Sequence, residues 1–563
     1  MKLIIREYLS LLKESKELDR VLPDLLLAMG IEPISYPQIG VRQYGVDVAA
    51  VGKDEFGIVL LYLFTIKQGD IGRADWDGNN QSVRPSLDEI LDVYIESHIP
   101  LEYKDLPKKI VLCTGGALRQ EIQQNWRGYV KRNRIEDIQE YEFWGGDKLA
   151  ILIEKYMFNE QIIPKEFKSK MRKTLALLGD SDHDLNDFYN IIKEFLVDVK
   201  YENINRQATK KKIKKKLMTV HLCLNIIWFW ARSENNIKPA MLAAERTVLN
   251  IWEFMRTNNL LENNNVRLIF DKIYESFLNI YNEYFDKIDQ FCYQEESLSA
   301  NERYYILNCL NVFEVLGNIS LFGLGLHYRC KKGDTQEFDR VKKIVDSLKN
   351  FINNHLAICA PCYDGHITEI SQAIYLLQAY GEKELINWWI VQIVEHMKFA
   401  YVNLGKYFPI QSDSFDDLVA LNNSNRLEKE KLFELSTLIP TLAQWCIALG
   451  LYETYHLIRE SVVKFFKDCS LQIWYPDRST DEYMYTINAA YKTGAMDAPM
   501  ILKESIDDML ETVRRVQKNT IDINELSSVK HGYKLLPIIA SKHYRMPMIP
   551  WYWQSIVLNQ DEM

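Results

Sequence analysis

The chain has 563 residues, long enough for roughly two to four domains with full hydrophobic cores. Its 47% hydrophobic and 26% charged content is typical of a soluble globular protein. A net charge of −9 excludes a general nucleic-acid coat, so any contact with DNA must be confined to local basic patches and be sensitive to salt.

Charges at Arg6, Glu7, Lys13 and Glu14 interrupt the N-terminal apolar pattern, so no signal peptide is expected there. Residues 3–29 carry a helical stripe of Ile4, Tyr8, Leu11 and Leu12, with a break expected near Pro23. Two or three short strands follow between residues 32 and 68. A helix then runs from Pro85 to Ser97, with its proline near the first turn. Residues 109–113 read as a strand, 118–134 as a helix, 139–144 as a strand and 147–157 as a helix. This α-β-β-β-α-β-α-β-α order predicts a small mixed sheet with helices on both faces.

Within that order one hairpin carries the chemistry. Asp47 leads the apolar strand Val48-Ala49-Ala50, and Lys67 is the first charge after the apolar run from Ile58 to Phe64. Strand alternation places Thr65 and Lys67 on one face. A carboxylate and a lysine side by side suit divalent-metal phosphodiester chemistry. The carboxylate holds a cation that offsets phosphate charge, and the lysine orients water or stabilises developing charge. A lysine at a sheet edge more often simply reaches solvent, and Asp47 on the neighbouring strand is what favours a site.

These residues resemble the PD-(D/E)xK restriction-endonuclease superfamily, and within it the Mrr-like branch. The resemblance covers residues 1–158. It rests on Gln43-x-Gly45-Val46-Asp47, on Lys67-Gln68, and on Leu18-Asp19-Arg20-Val21 as the acidic position of the first helix. Val111-Leu112-Cys113-Thr114-Gly115-Gly116 and the segment from Tyr141 to Leu149 are similar to the closing strands and helix. The resemblance implies an α/β restriction-endonuclease-like fold and a metal-dependent nuclease. Mg²⁺ or Mn²⁺ would be bound by Asp47 and Asp19, Lys67 would be catalytic, and Gln43 and Gln68 would orient water or phosphate. Thr65 departs from the family, which usually has Glu, Asp or Gln two residues before the lysine. A hydroxyl is a weaker ligand for a hard cation. Either Asp70, Asp75, Asp77, Asp88 or Glu89 supplies the missing carboxylate, or the fold is a catalytically silent module that binds nucleic acid without cutting it.

Arg127, Lys131 and Arg134 fall at helical spacing on one stripe, beside Trp126 and Tyr129. The stripe suits a phosphate backbone, whereas an ordinary solvated helix face is the plainer alternative.

Residues 159–187 read as a linker or connecting helix, with Pro164, a basic run and Gly179-Asp180-Ser181-Asp182. Residues 188–563 show no convincing strand and read as a large all-α domain, without a fixed-period repeat. Its helices are expected at 241–256, 266–290, 303–328, 338–351, 367–380, 384–401, 428–449 and 498–517. Lys210 to Lys216 is positive at every position except Ile213, and Lys211 and Lys215 are candidate phosphate contacts; a solvated first turn is the alternative. The apolar stretch 217–231 falls short of the ~20 residues that span a bilayer, and residues 303–328 carry Asn308, Asn311, Glu314 and Asn318, so no membrane segment is expected.

Nine scattered cysteines suggest free thiols in a reducing cytoplasm. His327-x-x-Cys330 and Cys359-Ala360-Pro361-Cys362, with His366 spare, have zinc-compatible pair spacing, but free buried cysteines are the expected outcome.

Together these observations predict a cytoplasmic, metal-dependent endonuclease fused to a large helical domain, of the kind found in bacterial restriction or phage-defence effectors. DNA is the expected substrate, with RNA left open. The helical domain is a candidate surface for sensing, for a second copy or for a partner protein.

Overall fold

The computed structural model describes residues 2–12, 14–35, 43–54, 56–134, 139–157, 163–179, 184–197, 207–298, 305–331, 334–423, 433–477, 479–486, 500–517, 522–548 and 550–551. Their contacts divide the chain into two compact units, Met1–Ala240 and Met241–Met563.

The first unit is a mixed α/β domain. Helix α1 (Lys2–Leu9) is followed by a π-helical turn (Glu14–Leu18) and α2 (Asp19–Ala28). The break expected at Pro23 falls instead between Leu9 and Glu14, and Pro23 lies inside α2. The wide π turn absorbs the irregularity before the proline is reached. Strands β1 (Glu32–Ser35), β2 (Val48–Lys53) and β3 (Val59–Lys67) come next. They lead to α3 (Arg73–Asp77), α4 (Val83–Glu89) and α5 (Ile95–Ser97). The unit continues with β4 (Lys108–Thr114), α6 (Gln120–Asn133), β5 (Gln139–Trp144) and α7 (Gly146–Tyr156).

The five strands lie in sequence order. β1–β2 and β2–β3 are antiparallel, whereas β3–β4 and β4–β5 are parallel. A parallel pair needs a crossover, and the helices between β3 and β4 and between β4 and β5 supply it. Trp76, Val83, Leu87, Ile90, Ile122 and Tyr129 from α3, α4, α6 and the turn after α4 pack onto Ala49, Leu61, Leu63, Ile110 and Leu112 of the sheet. α1 and α2 pack on α7, and α2 also meets β2. β3 is buried from Leu60 to Ile66, as its uninterrupted apolar sequence requires.

α8 (Lys165–Ala176), α9 (Asn186–Ile192) and α10 (Gln207–Ser233) complete this unit, with α10 packed on α1. Residues 159–162 and 180–183 of the expected linker lie outside the described residues.

The second unit starts within α11 (Lys238–Thr257). It contains α12 (Asn264–Cys292), α13 (Tyr305–Arg329), α14 (Thr335–Asn354), α15 (Ile367–Ala379) and α16 (Lys383–Leu404). α17 (Phe415–Asn423), α18 (Leu438–Ala448), α19 (Tyr452–Phe465) and α20 (Thr480–Tyr483) follow. α21 (Ile506–Gln517), α22 (Ser527–Lys530) and α23 (Leu535–His543) are the last helices. α13 is the hub, packed by α12, α14, α15 and α23. It is long and apolar enough to cross a membrane, but 83% of its apolar window is buried inside this unit.

The region also contains strand structure that sequence patterning did not predict. β6 (Leu435–Ser436) and β7 (Ser470–Leu471) form a short parallel pair; of the helix expected over 428–449, residues 428–432 lie outside the described residues and the described helix starts at Leu438. Asp364 explains the later start. Its buried carboxylate accepts hydrogen bonds from Ser436 Oγ and from the backbone N–H groups of Thr437 and Leu438.

Candidate functional site

Asp47 sits one residue before β2 and is pinned across the end of β3. Its backbone N–H donates to the Phe64 carbonyl at 2.8 Å, and its Oδ2 accepts from the Ile66 N–H at 2.6 Å. The antiparallel register Val48–Phe64, continued by one step, sets Asp47 opposite Thr65. Lys67 closes β3, paired with Thr114 of β4.

The approach to Asp47 depends on Gly45. Its φ of +80° is left-handed, and a Cβ there would lie 2.1 Å from the Ser86 carbonyl oxygen of α4. The exit from β3 depends on another close contact. A Cβ on Gly116 would fall 2.3 Å from the Gly69 carbonyl carbon, and Ala117 N–H donates to Asp70 Oδ1 at 2.9 Å. The loops after β3 and β4 are thereby joined at the carboxyl edge of the sheet.

Four charged groups converge here. Burial drives the Asp47 carboxyl up to about 6, although the Ile66 N–H and the Lys67 ammonium both favour its ionised form. Glu14 and Asp19 add to the upward shift. Glu14 is itself raised by burial and by Asp19, with Lys67 opposing. Three carboxylates and one lysine thus share the region, and negative charge is in excess.

Asp19 and Lys67 thus lie within electrostatic reach of Asp47. Glu14, from the π-helical turn, was missed. Among a run of alternating charges it reads as a solvated helix residue, and only the local widening of the helix turns it towards the sheet. Gln43 is half-buried and its carbonyl accepts from the Val46 N–H at 3.1 Å, while Gln68 is exposed at the exit of β3. The Thr65 hydroxyl is fully buried and has no hydrogen-bond partner among the described residues.

Four of the five acidic residues expected to replace Thr65, Asp70 included, are engaged elsewhere. Asp75 accepts from the Gly72 N–H, Asp77 pairs with Arg84, and Asp88 accepts from the Tyr129 hydroxyl. The carboxylates that act on Asp47 are Glu14 and Asp19 instead.

Among the described residues, no three His, Cys, Asp or Glu side chains are spaced as a ready metal cage. Mg²⁺ commonly binds through one or two carboxylates and keeps several waters. The half-buried carboxylates of Asp47, Glu14 and Asp19 fit such a hydrated ion by the chemistry of their donors. The zinc-compatible pairs do not form one cluster. His327 Nδ1 lies 3.4 Å from the Tyr380 hydroxyl, Cys330 is half-buried, and Cys362 sits against the Cys309 thiol.

On the outer side of α6, Arg127, Lys131 and Arg134 line one open cleft of about 430 Å³ with Trp126, Val130 and Tyr141. Trp126 packs edge-on against Trp76 and Tyr141, which fixes the base of the cleft. The three cations are exposed, and Arg134 lies 3.8 Å from Glu140. Lys211 is exposed on α10, whereas Lys215 is half-buried and paired with Glu17.

No family model, curated protein or solved structure matches this chain.

Proposed function

We propose that the first unit is a divalent-metal-dependent nuclease domain with a PD-(D/E)xK-like layout, acting on DNA. The observation that carries this reading is the convergence of Asp47, Glu14 and Asp19 around Lys67 at one edge of a mixed sheet. Asp47, with Glu14 or Asp19, would hold Mg²⁺ or Mn²⁺, which supplies positive charge to a bound phosphate. Lys67 stabilises negative charge developing on the phosphate oxygens and orients the attacking water. The Thr65 hydroxyl stands where relatives of the resembled family use a carboxylate or amide, so the cation depends on the other carboxylates. Arg127, Lys131, Arg134 and Lys211 bind the phosphate backbone and set the position of the strand without reading its sequence.

The test is cleavage of plasmid and single-stranded DNA by the full chain with Mg²⁺ or Mn²⁺, beside Asp47→Ala and Lys67→Ala. Losses above about 100-fold in both variants are expected for an electrostatic site of this kind. Undiminished cleavage in either variant would overturn the assignment.

The orphaned Thr65 hydroxyl favours a second reading, a nuclease-like module that binds without cutting. That reading requires plasmid retention by wild type and by Asp47→Ala in EDTA, with no cleavage by either.

A further inference from the structure

The lysine run that opens α10 has two structural roles. Lys210, Lys211, Lys212 and Lys214 are exposed, but the next two lysines turn inwards. Lys216 Nζ donates to the Phe195 carbonyl at 2.7 Å and lies over the Phe195 ring. Lys215 makes an ion pair with Glu17, and both side chains are largely screened from solvent.

Glu17 belongs to the same π-helical turn as Glu14. The two carboxylates of this turn divide between neighbours: Glu14 acts on Asp47 and Lys67 at the sheet, and Glu17 holds α10. The turn needs a tether of this kind. The turn packs against β3, the strand that Lys67 closes, so its position sets what faces that end of the sheet. Within Glu14–Leu18, Leu18 is the apolar side chain anchored in the core. A π-helical turn also has poorer hydrogen-bond geometry than an α-helix. The neighbouring contact reinforces the same clamp, since α1, with Tyr8 buried on it, packs on α10.

We propose that Lys215 is a positioning residue: by holding Glu17 it fixes the π-helical turn, and with it Glu14, against the Asp47–Lys67 pair. This inference rests on the nuclease reading above, and it removes Lys215 from the phosphate-binding surface.

The experiment compares wild type, Lys215→Arg, Lys215→Glu, Glu17→Lys and the double swap in the full chain. Two readouts are used: Mn²⁺ affinity by titration calorimetry without DNA, and kcat and KM for plasmid cleavage. Displacing a site group by about 1 Å can cost on the order of 100-fold in rate. Lys215→Glu and Glu17→Lys should therefore each weaken Mn²⁺ binding and lower kcat by at least about tenfold, with KM little changed. Lys215→Arg should stay near wild type, and the swap should restore both readouts. Restoration with glutamate still at 215 is incompatible with a phosphate contact. A rise in KM alone, or single-variant losses that the swap fails to restore, overturns the proposal, as do single variants that match wild type. If wild type binds Mn²⁺ in this pattern but cuts nothing, the positioning stands and the nuclease reading falls. If wild type neither binds nor cuts, both fall.

Discussion

Asp47 in the first unit and Glu245 in the second are carboxylates withdrawn from solvent, the first in part and the second completely, and their surroundings drive them in opposite directions. Burial alone would raise both. At Glu245 it is overcome by the charge of Lys542 at 2.7 Å and by His543, whose Nδ1 lies 2.7 Å from the carboxylate, and together they hold the carboxyl at about 2; the Tyr281 hydroxyl also donates to it. Burial lowers the His543 pKa while its contact with Glu245 opposes that shift, and the Lys542 charge is the largest compensation for the burial of Glu245. At Asp47 one N–H and one nearby lysine do not compensate, and two further carboxylates add repulsion. The helical unit uses its buried charge to fix α11 against α12 and α23. The α/β unit leaves its charge unbalanced, at a cost in stability.

The largest expected effect comes from breaking the balanced side. Glu245→Ala leaves Lys542 buried without its counter-charge, and should cost about 3–5 kcal/mol in denaturant unfolding of the chain. A loss below about 1 kcal/mol would show that the network contributes little. The stabilisation from Glu245 is present above its ordinary value of 4.5 and is lost as pH falls towards about 2, because its folded-state pKa is depressed.

Gly45→Ala should have a smaller effect, about 2–3 kcal/mol, since it combines a left-handed φ with a clash against the Ser86 carbonyl. Thermal melts of Gly45→Ala and of Gly57→Ala make the comparison direct. Gly57 also has a left-handed φ, but a Cβ there meets nothing within 4 Å. Equal shifts in Tm would remove the packing argument.

The smallest effect has the opposite sign. Asp47→Asn keeps an acceptor for the Ile66 N–H and removes the charge, so it should stabilise the metal-free protein by about 1 kcal/mol at pH 8. The raised folded-state pKa sets the pH window. Destabilisation by Asp47 is absent below its ordinary value of 3.8, grows as pH rises, and is complete above about 6. The Tm gain should therefore vanish near pH 4, and a gain that is constant with pH would contradict the assignment.

Much of the first unit was legible because its strands are short, apolar and separated by clear turns. β5 falls where the pattern places it, and β4 and α6 match within one or two residues. Asp47 and Lys67 were legible because strand alternation is a strict local rule. Glu14 was not, because π-helical widening leaves no periodic trace in five residues. The role of Lys215 was hidden for a related reason: a run of lysines looks alike along its length until one knows which face meets another helix. The β6–β7 pair was equally hidden, because two-residue strands carry no alternation and this pair depends on a carboxylate about seventy residues away.

The split character of the sheet has a consequence for how the chain reaches its structure. β3 meets β2 through a tight hairpin that begins at Lys53–Val59, but meets β4 only by bringing Leu61 to Lys108. Loop-closure entropy favours the hairpin first, and the parallel half must wait for the crossover helices. Asp47 and Lys67 lie on the early half of the sheet. Substitutions in β2 and β3 should slow refolding, with φ-values near about 0.5–1, while those in β4 and β5 should mainly speed unfolding. The central pair of the site would then be assembled before most of the domain that surrounds it.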